Sequence, residues 1–422
     1  MKKLAIVVYG TGILLIAHAS IHSSGFLIYE QGARAMAMAG AFVSVANNPT
    51  AIFYNPAGIA WLEGTQISIG STWITANSSL SLPRWPDPRY RSVNQERQWF
   101  YPSTFYLSQR FNERIVVGVG FYSAYGLGTK WPKDYPLRSL AVSDTFNTYF
   151  FNPTISIKFN EDLSLGFGIS YIHSTLNLEA VRLVEGFDVP LFLGTSGNAW
   201  GINSGVLYSG EEFSFGFIWR GGFEVNYSGG LTLDTSELPS NLQGNLPSQG
   251  NASTTLRFPH IFGLGTSFAL DENLILAADL YYVLWSSYDT HTLKIDFPDP
   301  FPDEEQETVE NWKNTFAIRT GLEYLVNESL ALRTGILFDQ TPQPQQFMDP
   351  ILPDADRVAF TGGFGYRRGN IVVDLAYQLE VFFKRKSPNR NACLDPLSGI
   401  NLGEGTYSTT AHLIGVSIGY EF

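Results

Sequence analysis

The sequence has little cysteine, little charge and no long apolar run beyond its leader. The single cysteine, Cys393, excludes an intrachain disulfide and a thiolate metal site. Charged residues make up 16% of the 422 residues, which is sparse for a soluble protein of this size. The net charge of -12 argues against a nucleic-acid partner, because nucleic acid is bound by basic surfaces. Since no later window reaches ~18 continuous apolar residues, the composition also excludes a helical membrane protein.

The first residues have the pattern of an export signal. Lys2 and Lys3 precede an apolar run from Leu4 to Ala17, and a small-residue site ends at Ala19. The run is too short for a transmembrane helix, which needs ~20 residues. We predict a signal peptide over residues 1–19, with cleavage at up to residue 24 as the alternative. A protein exported without a helical anchor is located in the periplasm or outside the cell, or it forms an outer-membrane barrel.

Many segments of the chain alternate large apolar residues with small or polar ones, with a period of two residues. The C-terminal residues alternate large apolar side chains (Ile414, Val416, Ile418, Tyr420 and Phe422) with Gly415, Ser417, Gly419 and Glu421. Successive strand side chains point to opposite sides, so this pattern is typical of a strand with lipid on its apolar face. Similar alternation predicts fourteen strands, near residues 65–76, 101–111, 114–126, 147–159, 163–179, 197–209, 211–227, 254–270, 273–296, 310–326, 328–340, 356–367, 369–385 and 406–422.

The connections between these strands alternate between short and long. Six are tight turns, and seven are long segments near 77–100, 127–146, 180–196, 228–253, 297–309, 341–355 and 386–405. Short periplasmic turns and long external loops are typical of an outer-membrane barrel. We therefore predict an all-β transmembrane protein, a fourteen-stranded antiparallel barrel over residues 65–422. A soluble propeller or double sandwich is the alternative fold.

The segment ahead of the first strand does not alternate. It is rich in small residues from Ala33 to Ala46, and a turn follows at Asn55, Pro56, Ala57 and Gly58. A barrel of this size has a lumen wide enough to leak. We predict that residues 20–64 form an N-terminal hatch that fills it.

Two parts of this hatch, Glu30 to Ala41 and Ala46 to Gly58, resemble the hatch of the FadL family of long-chain fatty acid and hydrocarbon transporters. Asp279 to Ser286 and Leu332 to Arg357 are also similar to that family. The resemblance implies that hydrophobic molecules are captured by external loops, enter a lumenal pocket near the N-terminus and leave sideways at a kinked strand. It also implies that the mature chain begins at a Gly-Phe pair, matched here by Gly25 and Phe26.

Two sets of residues are candidates for ligand contact. The predicted external loop 180–196 is unusually apolar, which favours either ligand capture or loop packing, and its candidate groove residues are Leu183, Val184, Phe187, Val189, Leu191, Phe192 and Leu193. Leucines of the segment 228–253 are expected to form the facing wall. The expected lumenal pocket contains Phe26, Leu27, Arg220, Arg319 and Arg333.

These three arginines and Arg367 have inward parity. Each either pairs a ligand carboxylate or bonds the hatch and balances the inward carboxylates, which are Asp279, Glu323, Asp374 and Glu380. A fatty-acid substrate predicts that at least one basic group near the pocket is left unpaired.

The sequence therefore favours passive uptake of hydrophobic molecules, with long-chain fatty acids as the first expectation. Aromatic or alkane hydrocarbons, a general porin, and a lipid hydrolase in which Ser174 or another serine converges with a histidine such as His173 or His260 are the alternatives. We expect no catalytic residue, metal or cofactor. We also expect a monomer that contacts lipopolysaccharide and is recognised by the barrel-insertion machinery through its last strand.

Overall fold

The computed structural model describes residues 25–348, 350–351, 353–387 and 405–422. The predicted signal peptide, residues 1–19 with its alternative end at 24, lies outside the described residues, as does most of the predicted loop 386–405. Alternating side chains produce one antiparallel sheet of twenty-one strand segments in the described residues: β1 Thr65–Ser81, β2 Ser92–Asn94, β3 Ser103–Arg110, β4 Ile115–Tyr122, β5 Gly126–Leu127, β6 Ser143–Lys158, β7 Leu163–Val184, β8 Phe187–Ser209, β9 Phe213–Arg220, β10 Phe223–Leu233, β11 Gln249–Phe258, β12 Ile261–Ala269, β13 Leu274–Val283, β14 Thr290–Asp296, β15 Glu304–Val309, β16 Thr315–Asn327, β17 Leu330–Asp339, β18 Arg357–Arg368, β19 Ile371–Phe382, β20 Arg385–Ser387 and β21 Gly405–Glu421.

The sheet closes on itself because β1 pairs with β21 from Gln66↔Glu421 to Ser81↔Thr406. Seven barrel strands are interrupted and contribute two segments each, so the described residues form fourteen strands around the barrel. The predicted fold class is confirmed. The interruptions were not predicted, and strands such as 211–227, 254–270 and 273–296 are wrong as continuous elements. Gly221 with Gly222, and Pro259, are the local causes in the first two, because glycine weakens a strand and proline cannot donate to its ladder.

The few helices are short and lie ahead of the first strand or in the connections between strand segments. They are α1 Ala33–Ala37, α2 Ala51–Tyr54 and α3 Ser240–Gln243, with 3-10 turns at Pro56–Trp61, Pro88–Tyr90, Trp285–Ser287 and Gln345–Phe347. Among the described residues, no helix has the length and apolar character needed to cross a membrane.

Tight turns join the strands at one end of the barrel, which we call the short-turn end. Asn112, Asn160 and Asn327 each accept backbone N–H bonds from the residues two and three positions later. An Asn side chain in this position imitates a backbone turn, which explains why these predicted turns form where they do. Residue 64 and residue 422 lie at the same end, since Phe422 N–H bonds the carbonyl oxygen of Thr65.

The opposite end of the barrel is called the long-loop end. The prediction of a loop over residues 180–196 at this end is wrong. The ladder between β7 and β8 continues from Leu163↔Tyr208 to Val184↔Phe187, and only Glu185 and Gly186 turn the chain. Both have positive φ, 48° and 88°, as a two-residue type I′ hairpin turn requires. We call residues 180–193 the upper hairpin. Its apolar residues alternate and therefore lie on two faces of a sheet rather than along one loop.

Candidate functional site

The N-terminal segment, residues 25–64, lies against the inner face of the sheet. Nearly every residue from Phe26 to Leu62 is buried. Glycines facing inward from the strands make the space for it: a Cβ on Gly205 would lie 2.0 Å from Asn55 Oδ1, and one on Gly166 would lie 2.2 Å from the backbone of Pro56. The small residues on the inner parity of the strands are therefore matched to this segment.

Asn55 to Gly58 are held closely both by the rest of the segment and by the barrel. The Asn55 amide accepts the N–H of Ala57 at 3.1 Å and donates to the carbonyls of Val43 and Val206 at 2.8 and 3.1 Å. A Cβ on Gly58 would stand 2.1 Å from the Ala46 carbonyl oxygen, so only glycine fits there. These four residues thus join the segment to itself and to the barrel wall.

Phe26 sits in an enclosure of six aromatic rings. Its ring centroid lies 4.9 to 5.8 Å from those of Tyr125, Phe146, Phe258, Trp285, Tyr288 and Trp312. Five of the six come from strand ends or interruptions, where the chain leaves the sheet and carries a large side chain inward. We call these six residues the aromatic enclosure.

The sequence missed this enclosure because its members are far apart along the chain and several were assigned to continuous strands.

Backbone hydrogen bonds join the N-terminal segment to the interruption between β4 and β5. Ile28 N–H donates to the Ala124 carbonyl at 2.8 Å, and Gly126 N–H donates to the Phe26 carbonyl at 3.1 Å. The Gln31 amide adds a 2.6 Å bond to the Ser123 carbonyl. The segment therefore supplies partners to backbone groups that the interrupted strand does not pair with its neighbours.

The predicted arginines occupy three different environments. Arg333 is committed to ion pairs with Glu323 at 2.5 Å and Asp374 at 2.6 Å. Glu323 also pairs with Arg34 of the N-terminal segment at 2.8 Å. Together they line part of a cavity of about 280 Å³ at the short-turn end, away from the aromatic enclosure.

Arg319 bonds the N-terminal segment rather than standing free. Its Nη1 donates to the Ala39 carbonyl at 3.1 Å, its Nη2 lies 3.7 Å from an oxygen of Asp339, and its guanidinium covers the ring of Tyr29. Asp279 holds the same segment by accepting two backbone N–H groups, from Phe42 and Val43.

Arg220 differs from the other two because, among the described residues, it forms no ion pair. Its guanidinium carbon lies 3.9 Å from the ring centroid of Phe53, and Nη2 donates to the Phe53 carbonyl at 2.5 Å. Nη1 is buried without a hydrogen-bond partner in the described chain. The ring of Phe53 contacts Tyr122, which stacks on Phe150. Aromatic contacts thus run from Arg220 toward the aromatic enclosure.

The residues of the predicted external groove divide between the two faces of the upper hairpin. Val189, Leu191 and Leu193 face inward and are buried against Leu231 and Leu233 of β10 in the same apolar cluster as Phe26. Val184 and Phe187 pair at the tip with inward parity. Leu183 and Phe192 have outward parity and are exposed. An inner apolar wall therefore leads from the long-loop end to the enclosure.

The structure does not bring together the residues of the alternative hydrolase site. The Ser174 hydroxyl faces inward and contacts the hydroxyl of Tyr227 at 2.6 Å. His173 faces outward on the same strand, with Nδ1 2.9 Å from the Asn198 amide oxygen. This pair forms no nucleophile and base.

Comparisons with known proteins agree with the fold. The family model described as outer membrane protein transport protein (OMPP1/FadL/TodX) matches residues 14–422. A long-chain fatty acid transport protein of Escherichia coli O157:H7 is 22% identical, over 82% of this chain and 84% of that protein. The structure of a Pseudomonas aeruginosa FadL homologue has a TM-score of 0.80 at 19% identity, covering 94% and 100% of the two chains. The Ralstonia pickettii toluene transporter TbuX has a TM-score of 0.70 at 17% identity, with coverage of 94% and 100%.

Proposed function

Because this chain belongs to the OMPP1/FadL/TodX family of outer membrane transport proteins, we propose that it takes up long-chain fatty acids passively. The coarser function, outer-membrane transport of hydrophobic compounds, follows from the family. The relatives include a fatty acid transporter and a toluene transporter, so the choice of substrate depends on residues of this chain.

The observation that carries the proposal is that Arg220 is buried and forms no ion pair among the described residues, with its Nη1 lacking a hydrogen-bond partner there. A buried guanidinium without a carboxylate is costly, and a ligand carboxylate would supply the missing acceptor. A hydrocarbon offers no such group. Aromatic hydrocarbons or alkanes remain the second substrate class, supported by the apolar enclosure around Phe26.

The proposed route begins at the long-loop end, which we assign to the cell exterior. A ligand first meets the inner apolar wall of the upper hairpin and then displaces Phe26 from the aromatic enclosure. Withdrawal of residues 25–28 would break their hydrogen bonds to Ala124 and Gly126, which leaves the interruption between β4 and β5 open toward the membrane. This interruption is the proposed lateral exit. A general porin is disfavoured because the buried N-terminal segment occupies the lumen.

The test compares Arg220→Met with wild-type protein for binding of labelled oleate and of toluene. A charge-assisted hydrogen bond contributes roughly 1.5–3 kcal/mol, so we expect oleate to bind about 10- to 100-fold more weakly and toluene to bind unchanged. Arg333→Met is the matched control, since that guanidinium is already paired with Glu323 and Asp374. Unchanged oleate binding by Arg220→Met would refute a carboxylate ligand at this site.

A further inference from the structure

The outer surface of β6, β7 and β8 changes character at one level. Two cross-strand rows form an aromatic band: Phe151, Tyr171 and Trp200 in one row, and Tyr149, His173 and Asn198 in the next. Trp200 is 70% exposed. Aromatic residues of this kind mark the boundary between the hydrocarbon and the headgroups around outer-membrane barrels.

Beyond this band, toward the long-loop end, the outward side chains are almost all polar or small. Successive rows contain Asn147, Thr175, Ser196 and Ser228, then Thr145, Asn177, Gly194 and Gly230, and then Ser143, Glu179, Phe192 and Thr232. At ~3.4 Å per residue and a tilt of ~40°, these rows lie about 5 to 15 Å beyond the aromatic band. This is the level of the lipid headgroups.

The paired glycines leave a groove of about 350 Å³ on this outer surface. Gly194 and Gly230 face each other across β8 and β10, and the walls are formed by Asn177, Glu179 and Phe192. We call this the outer groove.

The wall formed by β1 and β21 provides a contrast within the same molecule. At a similar height beyond the aromatic band, its outward rows pair Asn77 with Thr410 and Ser79 with Ser408, so every position carries a side chain. The groove therefore reflects the two glycines and is not a general property of the barrel surface at this level.

The chemistry of the outer groove suits a phosphorylated sugar. The Glu179 carboxylate accepts from Ser143 Oγ at 3.3 Å and lies 3.4 Å from Lys133 Nζ, whose side chain is exposed. Glu179 and Asn177 present acceptors and donors to hydroxyl groups, and Phe192 offers an apolar face. Lys133 lies beside the groove, where its exposed ammonium, already paired with Glu179, supplies a cation that a phosphate can share.

We propose that the outer groove binds the phosphorylated saccharide of an outer-leaflet glycolipid, lipopolysaccharide. Its position decides the occupant, because a groove that faces outward just beyond the aromatic band is surrounded by headgroups of that leaflet. The proposal rests on the assignment of the long-loop end to the cell exterior, but the site lies on the opposite side of the sheet from the transport route, so it does not depend on the proposed substrate.

The test fills the groove in the intact protein. In Gly194→Val/Gly230→Val, the new Cβ atoms would lie 3.3 Å from the flexible Asn177 amide and 3.9 Å from the Gly250 carbonyl oxygen, so the barrel should still fold. Binding of rough-type lipopolysaccharide, of lipid A without core sugars and of phosphatidylglycerol is measured by native mass spectrometry in detergent. We expect at least a 10-fold loss of lipopolysaccharide affinity in the variant. Wild-type protein should bind lipopolysaccharide and lipid A, which both carry a phosphorylated saccharide, more tightly than phosphatidylglycerol.

The control is Thr410→Val, which changes one side chain at a similar level on the β1 and β21 wall and should bind as wild type does. Equal binding by the filled variant and wild type would overturn the proposal. Equal affinity of wild type for lipopolysaccharide and phosphatidylglycerol, or a change in oligomeric state on filling the groove, would do the same. Oleate binding is measured in parallel and should be the same in all three proteins.

Discussion

Phe26 occupies the space that an apolar ligand would need in the aromatic enclosure. Its ring is buried and surrounded by six other aromatic rings, so the side chain fills the enclosure as a bound apolar ligand would. Burying a phenylalanine side chain contributes roughly 1.5–3 kcal/mol, and on the proposed route an incoming ligand must replace that contribution.

We therefore expect Phe26→Ala to bind oleate about 10-fold more tightly than wild type, because the ligand no longer competes with the phenyl ring. Equilibrium competition against labelled oleate measures the change. Phe42→Ala is the control, since Phe42 is equally buried in the N-terminal segment but packs on Tyr54 and not in the aromatic enclosure. Weaker binding by Phe26→Ala would mean that the ring holds the ligand instead of competing with it.

At the level of single residues, the sequence predicted the face of the sheet on which a side chain lies better than the residues with which it pairs. The two-residue period placed Arg220, Arg319 and Arg333 on the inner face, and all three are buried there. It did not predict that Arg333 would pair with two carboxylates while Arg220 has none. That difference depends on which strands are neighbours and on the position of the N-terminal segment, and neither is encoded within one strand.

Among the elements, the interrupted strands contribute most of the enclosure. The interruption between β13 and β14 supplies Trp285 and Tyr288, and the one between β15 and β16 supplies Trp312. The alternation of apolar residues predicted the strands but not these breaks, because the rings that meet there come from segments far apart in the sequence. Pro259 and the Gly221–Gly222 pair were local signals that could have located two others.

In the upper hairpin, the apolar composition of residues 180–193 hid the residues that form the turn. Its high apolar content suggested an exposed loop with an apolar patch. In the structure, Glu185 and Gly186 form a tight turn, and the alternation of inward and outward side chains continues in both strands. Parity then assigns Leu193 to the inner wall and Leu183 to the outer surface.

This assignment predicts different effects for two matched substitutions. Leu193→Asn should slow uptake of oleate at low concentration by about 10-fold, because it removes one buried leucine, worth roughly 1.5–3 kcal/mol, from the inner wall. Leu183→Asn should leave uptake unchanged, since that side chain is 51% exposed on the other face. Initial uptake rates in cells that express equal amounts of folded barrel provide the measurement, and equal rates for the two variants would argue against capture on the inner wall.

For the whole molecule, the closed sheet and the N-terminal segment are separable in principle. The ladder between β1 and β21 closes the barrel without residues 25–58. A variant lacking these residues should still insert as a barrel, because the strands and their lipid-facing side chains are intact.

We expect this deletion to let small hydrophilic solutes pass and to abolish selective uptake of oleate, since an emptied lumen of this size is water-filled. Solute permeation into proteoliposomes, together with a gel assay for the folded barrel, tests both parts. If hydrophobic uptake and its selectivity survived the deletion, the N-terminal segment would have no gating role.

The glycines that cradle the N-terminal segment also restrict how such a protein can evolve. A Cβ on Gly166, Gly205 or Gly216 would collide with atoms of residues 43–57, so these wall positions and the segment are two halves of one fitted surface. Neither half can change its shape by single steps unless the other follows. Exchange of this segment alone between distant relatives would therefore join surfaces that were never fitted to each other, whereas exchange of the segment together with its glycine positions would preserve the match.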